Sequence, residues 1–246
     1  MFLMEVFIII IPLLIFITYL IYKPNPQIFH HSQINTFYNY DSFPKPNPFK
    51  YPLYYLTKPS VFELHPGDVL YIPYGWWHWV FSKGENIAIN QWFNKKYADN
   101  PFVFKSYKKI DLTNFFEKMS GIGIGLAQDN PNIQSYIRPR VYPKDEDEIK
   151  FMGTLLEFKE ISKHKKYSGF VLENQLPQEF IEGVPNKVES NSKYNLWYYS
   201  SDANSGLHYD NYDNFLCQIK GTKKVYLFPP SDSKWLYGDK KLRFND

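Results

Sequence analysis

Short runs of β-forming residues, separated by turn signals, occupy the first third of the chain beyond its N-terminal segment. Residues 61–64 (VFEL) lead through HPGD into residues 69–73 (VLYIP), and residues 75–82 (GWWHWVFS) follow. The triplet 84–86 (GEN) predicts a further turn before residues 87–93 (IAINQWF). Such short strands at regular spacing are typical of an antiparallel sandwich or barrel.

The C-terminal part of the chain returns to the same pattern. NLWYYSS predicts a strand, and DNFLCQIKG followed by TKKVYLFPP predicts a hairpin that turns at Lys220–Gly221–Thr222 and ends at a Pro-Pro pair. Between the two β-rich parts, DLTNFFEKMSG predicts a short helix with Asp111 or Thr113 as its cap. The glycine-rich GIGIGLAQDNPN lacks the GxGxxG spacing of a phosphate-binding loop.

The N-terminal segment differs from the rest because residues 6–22 are 17 consecutive uncharged and largely apolar residues. This length is at the short end of what spans a bilayer. A cleaved signal peptide and a buried core helix are the alternatives, but YKPNPQ offers no small residues for a cleavage site. We expect a single-pass anchor over residues 1–23. Lysines follow the run and Glu5 precedes it, which favours the cytoplasmic side for the remaining chain.

Composition narrows the class of protein. Aromatic residues make up 20% of the 246 residues, which favours strands, and the formal net charge of +3 gives no support for nucleic-acid binding. Cys217 is the single cysteine, so neither an intrachain disulfide nor a cysteine metal cluster can form. The proline-rich residues 24–58 predict an extended linker, and residues 59–246 form the predicted domain.

Three residues form a candidate metal site. His208 and Asp210 are two positions apart, so on a strand both point to one side and Tyr209 to the other. His78 interrupts the apolar GWWHWV, where it shares a face with Trp76 and Val80. A core histidine satisfied by one backbone hydrogen bond is the alternative for His78. Two imidazoles and one carboxylate are the ligand set of non-haem Fe(II) oxygenases.

Two long stretches resemble the JmjC/cupin-like family of Fe(II)- and 2-oxoglutarate-dependent dioxygenases, with the asparaginyl-hydroxylase-like branch as the nearest. LHYDNYDNFLCQIKGTKKVYLFPPSDSKWLY resembles the first metal-binding half of that family. FELHPGDVLYIPYGWWHWVFS and IAINQWF resemble its second half. The resemblance implies an all-β core, a double-stranded β-helix of the jelly-roll type, with a short helical insert here and iron at its open end.

The same resemblance implies a role for each matched residue. It assigns His208, Asp210 and His78 to the catalytic iron, and Lys223 to the distal carboxylate of the co-substrate 2-oxoglutarate. Further co-substrate contacts are implied at Asn214, Ser205, Asn90 and Trp92. An ammonium group that reaches into an apolar barrel needs an anion, which agrees with the role of Lys223.

The order of the two halves departs from the family, because here the half with His78 precedes the half with His208 by 130 residues. Three explanations compete: a circular permutation, a swapped homodimer of truncated domains, and a degenerate remnant. We favour permutation, since each fragment of one barrel occurs once. The distal-histidine half is then 59–95, the connecting segment with its helix 96–165, and the His-X-Asp half 166–246.

The resemblance implies a membrane-anchored dioxygenase that decarboxylates 2-oxoglutarate to succinate and hydroxylates a side chain of a protein or peptide substrate. Demethylation would follow if the oxidised carbon were bound to nitrogen. Two other functions stay open on the sequence alone. One is a non-catalytic, cupin-like binding or scaffold module with a degenerate metal site, and the other is a metalloenzyme that does not use 2-oxoglutarate.

Overall fold

The computed structural model describes residues 32–34, 40–41, 44–94, 96–105, 110–121, 123–127, 149–162, 167–173, 175–182 and 192–238. The strands are β1 (Ser60–Leu64), β2 (Asp68–Ile72), β3 (Trp77–Phe93), β4 (Phe102–Lys105), β5 (Gly123–Ala127), β6 (Ile149–Gly153), β7 (Tyr167–Glu173), β8 (Lys193–Tyr199), β9 (Ala203–His208) and β10 (Asp213–Phe228). The helices are α1 (Phe115–Lys118), α2 (Leu155–Ser162) and α3 (Gln178–Ile181), with 3-10 turns at Pro52–Leu56 and Pro230–Trp235.

Two long strands organise the fold. β3 and β10 pair antiparallel along their whole length, from Trp77 opposite Phe228 to Phe93 opposite Asp213. β9 joins the first half of β3, and β1 joins the second half of β10. In the same way, β8 pairs with the second half of β3, and β2 pairs with the first half of β10. The result is two four-stranded antiparallel layers, β9-β3-β10-β1 and β8-β3-β10-β2, which confirms the predicted jelly-roll core.

Both turns predicted inside these strands are wrong. Residues 84–86 and Lys220–Thr222 lie within β3 and β10, and neither reverses the chain. Gly84 and Gly221 adopt positive φ angles of 63° and 75°, and the register shifts on both sides of Lys220. A glycine with positive φ inside a ladder makes a bulge that bends the strand, so each long strand passes from one layer to the other.

A core of aliphatic side chains fills the space between the layers: Leu64, Leu70, Ile72, Ala88, Leu216, Val225 and Leu227. The outer face of the β8 layer packs against the helices through residues such as Phe115, Phe158 and Phe180. The outer face of the β9 layer carries Trp77 and Trp79. Both faces of each layer are therefore covered, which explains why tryptophans alternate with cavity residues along β3.

Part of the segment predicted as a linker, residues 24–58, packs against the barrel. Ile34, Leu53 and Tyr54 are buried against the outer face of the β9 layer. The hydroxyl of Tyr237 accepts a hydrogen bond from the backbone N–H of Leu53 at 2.9 Å. The described residues of this segment thus contribute to the core instead of only connecting it.

The connecting segment, residues 96–165, contains more regular structure than the single predicted helix. The helix expected in residues 111–121 is the one-turn α1, and α2 follows it. β4 adds to the free edge of β2, while β7, β5 and β6 extend the sheet beyond β8. Residues 123–127 of the glycine-rich stretch form β5. A Cβ added at Gly123 would lie 2.3 Å from the ring of Phe170.

The N-terminal apolar run at residues 6–22, predicted as a membrane anchor, lies outside the described residues. Within the ranges given above, no helix combines the length and apolar character needed to cross a bilayer.

Candidate metal centre

The two histidines of the predicted triad meet because their strands are neighbours. His78 on β3 is directly opposite His208 on β9, and the centroids of their rings are 4.1 Å apart. Asp210 follows β9 by two residues, and its Oδ2 lies 3.6 Å from Nε2 of His78. One ligand atom from each residue lies within 4.8 Å of the others. A single ion can therefore contact all three side chains.

Each imidazole is oriented by a carbonyl on its own strand. Nδ1 of His78 lies 3.0 Å from the carbonyl oxygen of Trp76, and Nδ1 of His208 lies 3.0 Å from that of Gly206. A carbonyl oxygen only accepts, so the proton must be on Nδ1 in both rings. This orientation by a backbone carbonyl through Nδ1 is also typical of histidines that bind a metal through Nε2.

The side chains on either side of the ligands point away, as the alternation predicted. Trp77, Trp79 and Tyr209 are buried in the outer core of the β9 layer, and the rings of Trp77 and Tyr209 are 4.9 Å apart. His78 and His208 are themselves only 3% and 5% exposed. The centre thus lies against an aromatic wall. His78 has the buried position and the backbone hydrogen bond of a core histidine, and in addition it lies beside His208 and Asp210.

Lys223 lies in the wall of the same cavity and is fully buried. Its Nζ donates a hydrogen bond to Oγ of Ser82 at 2.6 Å and lies 4.7 Å from the centre of the Tyr199 ring. Burial lowers the pKa of the Lys223 ammonium to about 7. Across the described ranges no carboxylate forms an ion pair with it.

The structure also gathers the four remaining predicted residues around this cavity: Asn214, Ser205, Asn90 and Trp92. Nδ2 of Asn90 donates to Oδ1 of Asn214 at 2.9 Å. Oγ of Ser205 accepts from the backbone N–H of Val80 at 3.2 Å. Nε1 of Trp92 donates to Oδ2 of Asp210 at 3.1 Å. Their contacts with a co-substrate stay a prediction.

Sequence reasoning missed several residues of the cavity, namely Ser82 beneath Lys223 and the wall residues Ile72, Trp197, Tyr199 and Leu216. Ser82 could be found only from the register, because it is the direct partner of Lys223 across β3 and β10. Trp197 and Tyr199 are two positions apart on β8, a period-two signal that the strand prediction already contained.

The fold and the site together define a double-stranded β-helix protein with a cavity in which two histidines and one carboxylate lie close enough to share one metal ion. A family model described as a cupin-like domain matches residues 17–99 and 127–244. The chain therefore belongs to the cupin-like family of JmjC type.

Three relatives agree with this assignment. The chain is 30% identical to a putative JmjC domain-containing protein of Acanthamoeba polyphaga mimivirus over 234 residues, which cover 75% of the chain and 36% of that protein. It is 32% identical to a lysine-specific demethylase of Arabidopsis thaliana over 118 residues, which cover 48% of the chain and 19% of that protein. It is 44% identical to JmjC domain-containing protein D of Dictyostelium discoideum over 62 residues, which cover 24% of the chain and 14% of that protein.

The alignments thus span about a third or less of each relative's own length. No solved structure matches the chain significantly.

Proposed function

We propose that this protein is an Fe(II)- and 2-oxoglutarate-dependent dioxygenase that hydroxylates a side chain of a protein or peptide. One observation carries the proposal: the triad of His78, His208 and Asp210 shares a cavity with the buried ammonium of Lys223, which no carboxylate of the described residues pairs with. Family membership supports the same reaction class.

The three side chains suit Fe(II). Two imidazoles and one carboxylate are the donor set of non-haem iron oxygenases, and they leave part of the coordination sphere open. When bound, iron together with 2-oxoglutarate and oxygen supplies the oxidant, and 2-oxoglutarate leaves as succinate and carbon dioxide.

The residues of this chain bind and orient the co-substrate. Lys223 is buried and forms no ion pair within the described part of the chain, so a carboxylate of 2-oxoglutarate beside Nζ compensates for its desolvation. The hydroxyl of Ser205 and the amides of Asn90 and Asn214 supply hydrogen-bonding groups in the same cavity. Ile72, Val80 and Leu216 make the remaining wall apolar, which limits water around the reacting carbon.

The class of substrate is a proposal only. We favour hydroxylation of a protein side chain because the quoted motifs resemble the asparaginyl-hydroxylase-like branch. The relative from Arabidopsis thaliana is named a lysine-specific demethylase, so loss of a methyl group from a lysine is the alternative outcome at the same site. Oxidation of a carbon bound to nitrogen would lead to that product.

The test is turnover of 2-oxoglutarate by the full chain with Fe(II) and oxygen. We expect succinate to form even without a substrate, and the variant His208→Ala to lose both metal binding and succinate formation. Wild type that forms no succinate, or forms as much as His208→Ala does, would contradict the proposal and favour a scaffold role.

Lys223→Ala separates the proposed enzyme from a metalloenzyme that does not use 2-oxoglutarate. This variant should still bind metal, because Lys223 is not one of the triad residues. It should lose 2-oxoglutarate binding, measured by calorimetry with the metal present. Unchanged co-substrate affinity would favour the other metalloenzyme.

We also propose that the chain is a circular permutation. Each strand of the two layers occurs once, and the half with His78 comes first. The triad lies within one chain, so the site needs no exchange of segments between subunits. A gene that places residues 166–246 before residues 59–95 should yield a protein with the same metal affinity.

Membrane anchoring through residues 6–22 stays a separate proposal supported by the apolar run alone. After expression in cells, the full chain should remain with membranes at high pH, whereas a chain without residues 1–23 should be released.

A further inference from the structure

Asp210 differs from the two histidines in how it is oriented. His78 and His208 each use the carbonyl two residues earlier on the same strand, so the local backbone fixes both rings. Asp210 lies beyond the end of β9, and its side chain is 21% exposed. Its carboxylate accepts a hydrogen bond from Nε1 of Trp92, a residue 118 positions away.

We infer that Trp92 is a positioning residue for the metal site: its indole N–H holds the carboxylate of Asp210 in the orientation that a metal requires. This inference rests on the proposed function. Trp92 was predicted as a co-substrate contact in the wall of the pocket, and the hydrogen bond to Asp210 gives it a separate role.

The bend in β3 makes this contact possible. Trp92 and His78 are 14 positions apart on one strand, which would separate them by roughly 46 Å if the strand were straight. Both nevertheless approach Oδ2 of Asp210, His78 through Nε2 at 3.6 Å and Trp92 through Nε1 at 3.1 Å. The carboxylate is therefore held between the two ends of a single bent strand.

The chemistry of an indole suits this task. Its N–H only donates, does not titrate in the physiological range, and offers no lone pair to a metal. It fixes rotation of the Asp210 carboxylate without competing for the ion. Partners that orient ligating side chains typically change metal affinity about 10- to 100-fold when they are removed.

The test compares Trp92→Phe with Trp197→Phe in the full chain, using Co(II) as the probe. Both variants remove one indole N–H from the wall of the same cavity, but only Trp92 contacts a ligand. We expect Trp92→Phe to weaken Co(II) binding about 10- to 100-fold and to change the visible absorption of bound Co(II). Trp197→Phe should change neither.

Equal Co(II) affinity and an identical spectrum in Trp92→Phe would overturn the inference and leave the proposed function intact. If wild type binds Co(II) no better than His208→Ala does, the inference and the proposed function fail together, because the triad is then not a metal site.

A second measurement does not depend on the folding of Trp92→Phe. In 15N-labelled protein, Asp210→Ala should shift the indole N–H signal of Trp92 and accelerate its hydrogen exchange, while the signal of Trp197 stays in place. A Trp92 signal that Asp210→Ala does not affect would also overturn the inference.

Discussion

At the scale of single residues, the surroundings of Lys223 decide how the cavity responds to pH. Its ammonium group is fully buried beside one hydroxyl and one aromatic ring, and burial lowers its pKa to about 7. Near neutral pH this lysine is therefore only partly protonated. An anion that enters the cavity favours the protonated form.

We predict that affinity for 2-oxoglutarate falls as pH rises above 7. Binding to a carboxylate requires the charged lysine, so each pH unit above its pKa of about 7 should cost about tenfold in affinity. Calorimetry from pH 7 to 9 with saturating Mn(II) measures this. Lys223→Arg is the control, because arginine stays charged and should flatten the profile. A flat profile in wild type would contradict the prediction.

We predict that Lys223→Met stabilises the fold while it removes co-substrate binding. The pKa of this lysine is about 7 when folded and near 10.5 when unfolded. The unfolded chain thus binds one more proton between these values, and wild-type stability rises with pH across that window. Lys223→Met should raise the free energy of unfolding at pH 6 by an amount on the order of a few kcal/mol, and by less at pH 9.

Urea unfolding at the two pH values measures this difference. The matched control is Lys224→Met, since the neighbouring Nζ donates instead to the carbonyl of Tyr40 on the outer face at 3.0 Å. A Lys223→Met variant no more stable than wild type at pH 6 would show that the buried ammonium carries no cost.

The sequence predicted the site residues better than their contacts. His78 interrupts an apolar strand, and His208 and Asp210 have the spacing of one strand face, so these three could be found from the sequence pattern. Lys223 lies between Thr222 and Lys224 and was assigned only through the family resemblance. Ser82 beneath Lys223 and the hydrogen bond from Trp92 to Asp210 depend on strand register and on a bend. Neither of these two contacts can be predicted from the local sequence pattern.

At the scale of elements, the bends at Gly84 and Gly221 determine how the layers connect. Both glycines have positive φ, but their surroundings differ. A Cβ at Gly221 would lie 2.5 Å from the backbone oxygen of Glu85 and 2.5 Å from Nδ2 of Asn86, whereas nothing lies within 4 Å of one at Gly84. At position 221 both the backbone conformation and the close packing therefore favour glycine, whereas at position 84 only the backbone conformation does.

We predict that Gly221→Ala destabilises the protein more than Gly84→Ala does. The positive φ costs about 1–2 kcal/mol in either variant. Gly221→Ala adds the clash with a backbone atom, which we expect to cost roughly 1–3 kcal/mol more. Urea or thermal unfolding of both variants measures the difference. Equal losses would mean that β10 shifts freely at its bend.

The strands were predictable, and so was the HPGD turn at residues 65–68, but the two turns expected at residues 84–86 and 220–222 were wrong. Residues 61–64, 69–73 and 87–93 were read correctly from β propensity, and they correspond to β1, β2 and the second half of β3. Glycine flanked by polar residues is a turn signal at a hairpin and at a bulge alike. Only the pairing of β3 with β10 over both halves distinguishes the two.

At the scale of the whole molecule, the centre is complete in one chain. His78 and His208 come from strands that pair within the same barrel, and Asp210 follows the second of these strands by two residues. A site shared between swapped subunits would instead need two copies. The difference between these arrangements is directly measurable.

We predict that mixing His78→Ala with His208→Ala does not restore metal binding. Each variant lacks one ligand of its own centre, and no intact triad can form when all ligands come from one chain. The mixture should be refolded together from urea and assayed for bound Co(II), with refolded wild type as the control. Recovery approaching a quarter of the wild-type level would indicate exchange between chains.

The pairing of β3 with β10 also has a consequence for how the protein is made. The central ladder joins residues 77–93 to residues 213–228, so a ribosome must deliver well over a hundred residues before β3 meets its principal partner. Until then the tryptophan-rich strand has no layer to complete, and such unpaired apolar strands are prone to aggregate. We therefore expect β3 to stay without its principal partner on a nascent chain until residues 213–228 have been made, and the triad, which includes Asp210, to come together only at that stage.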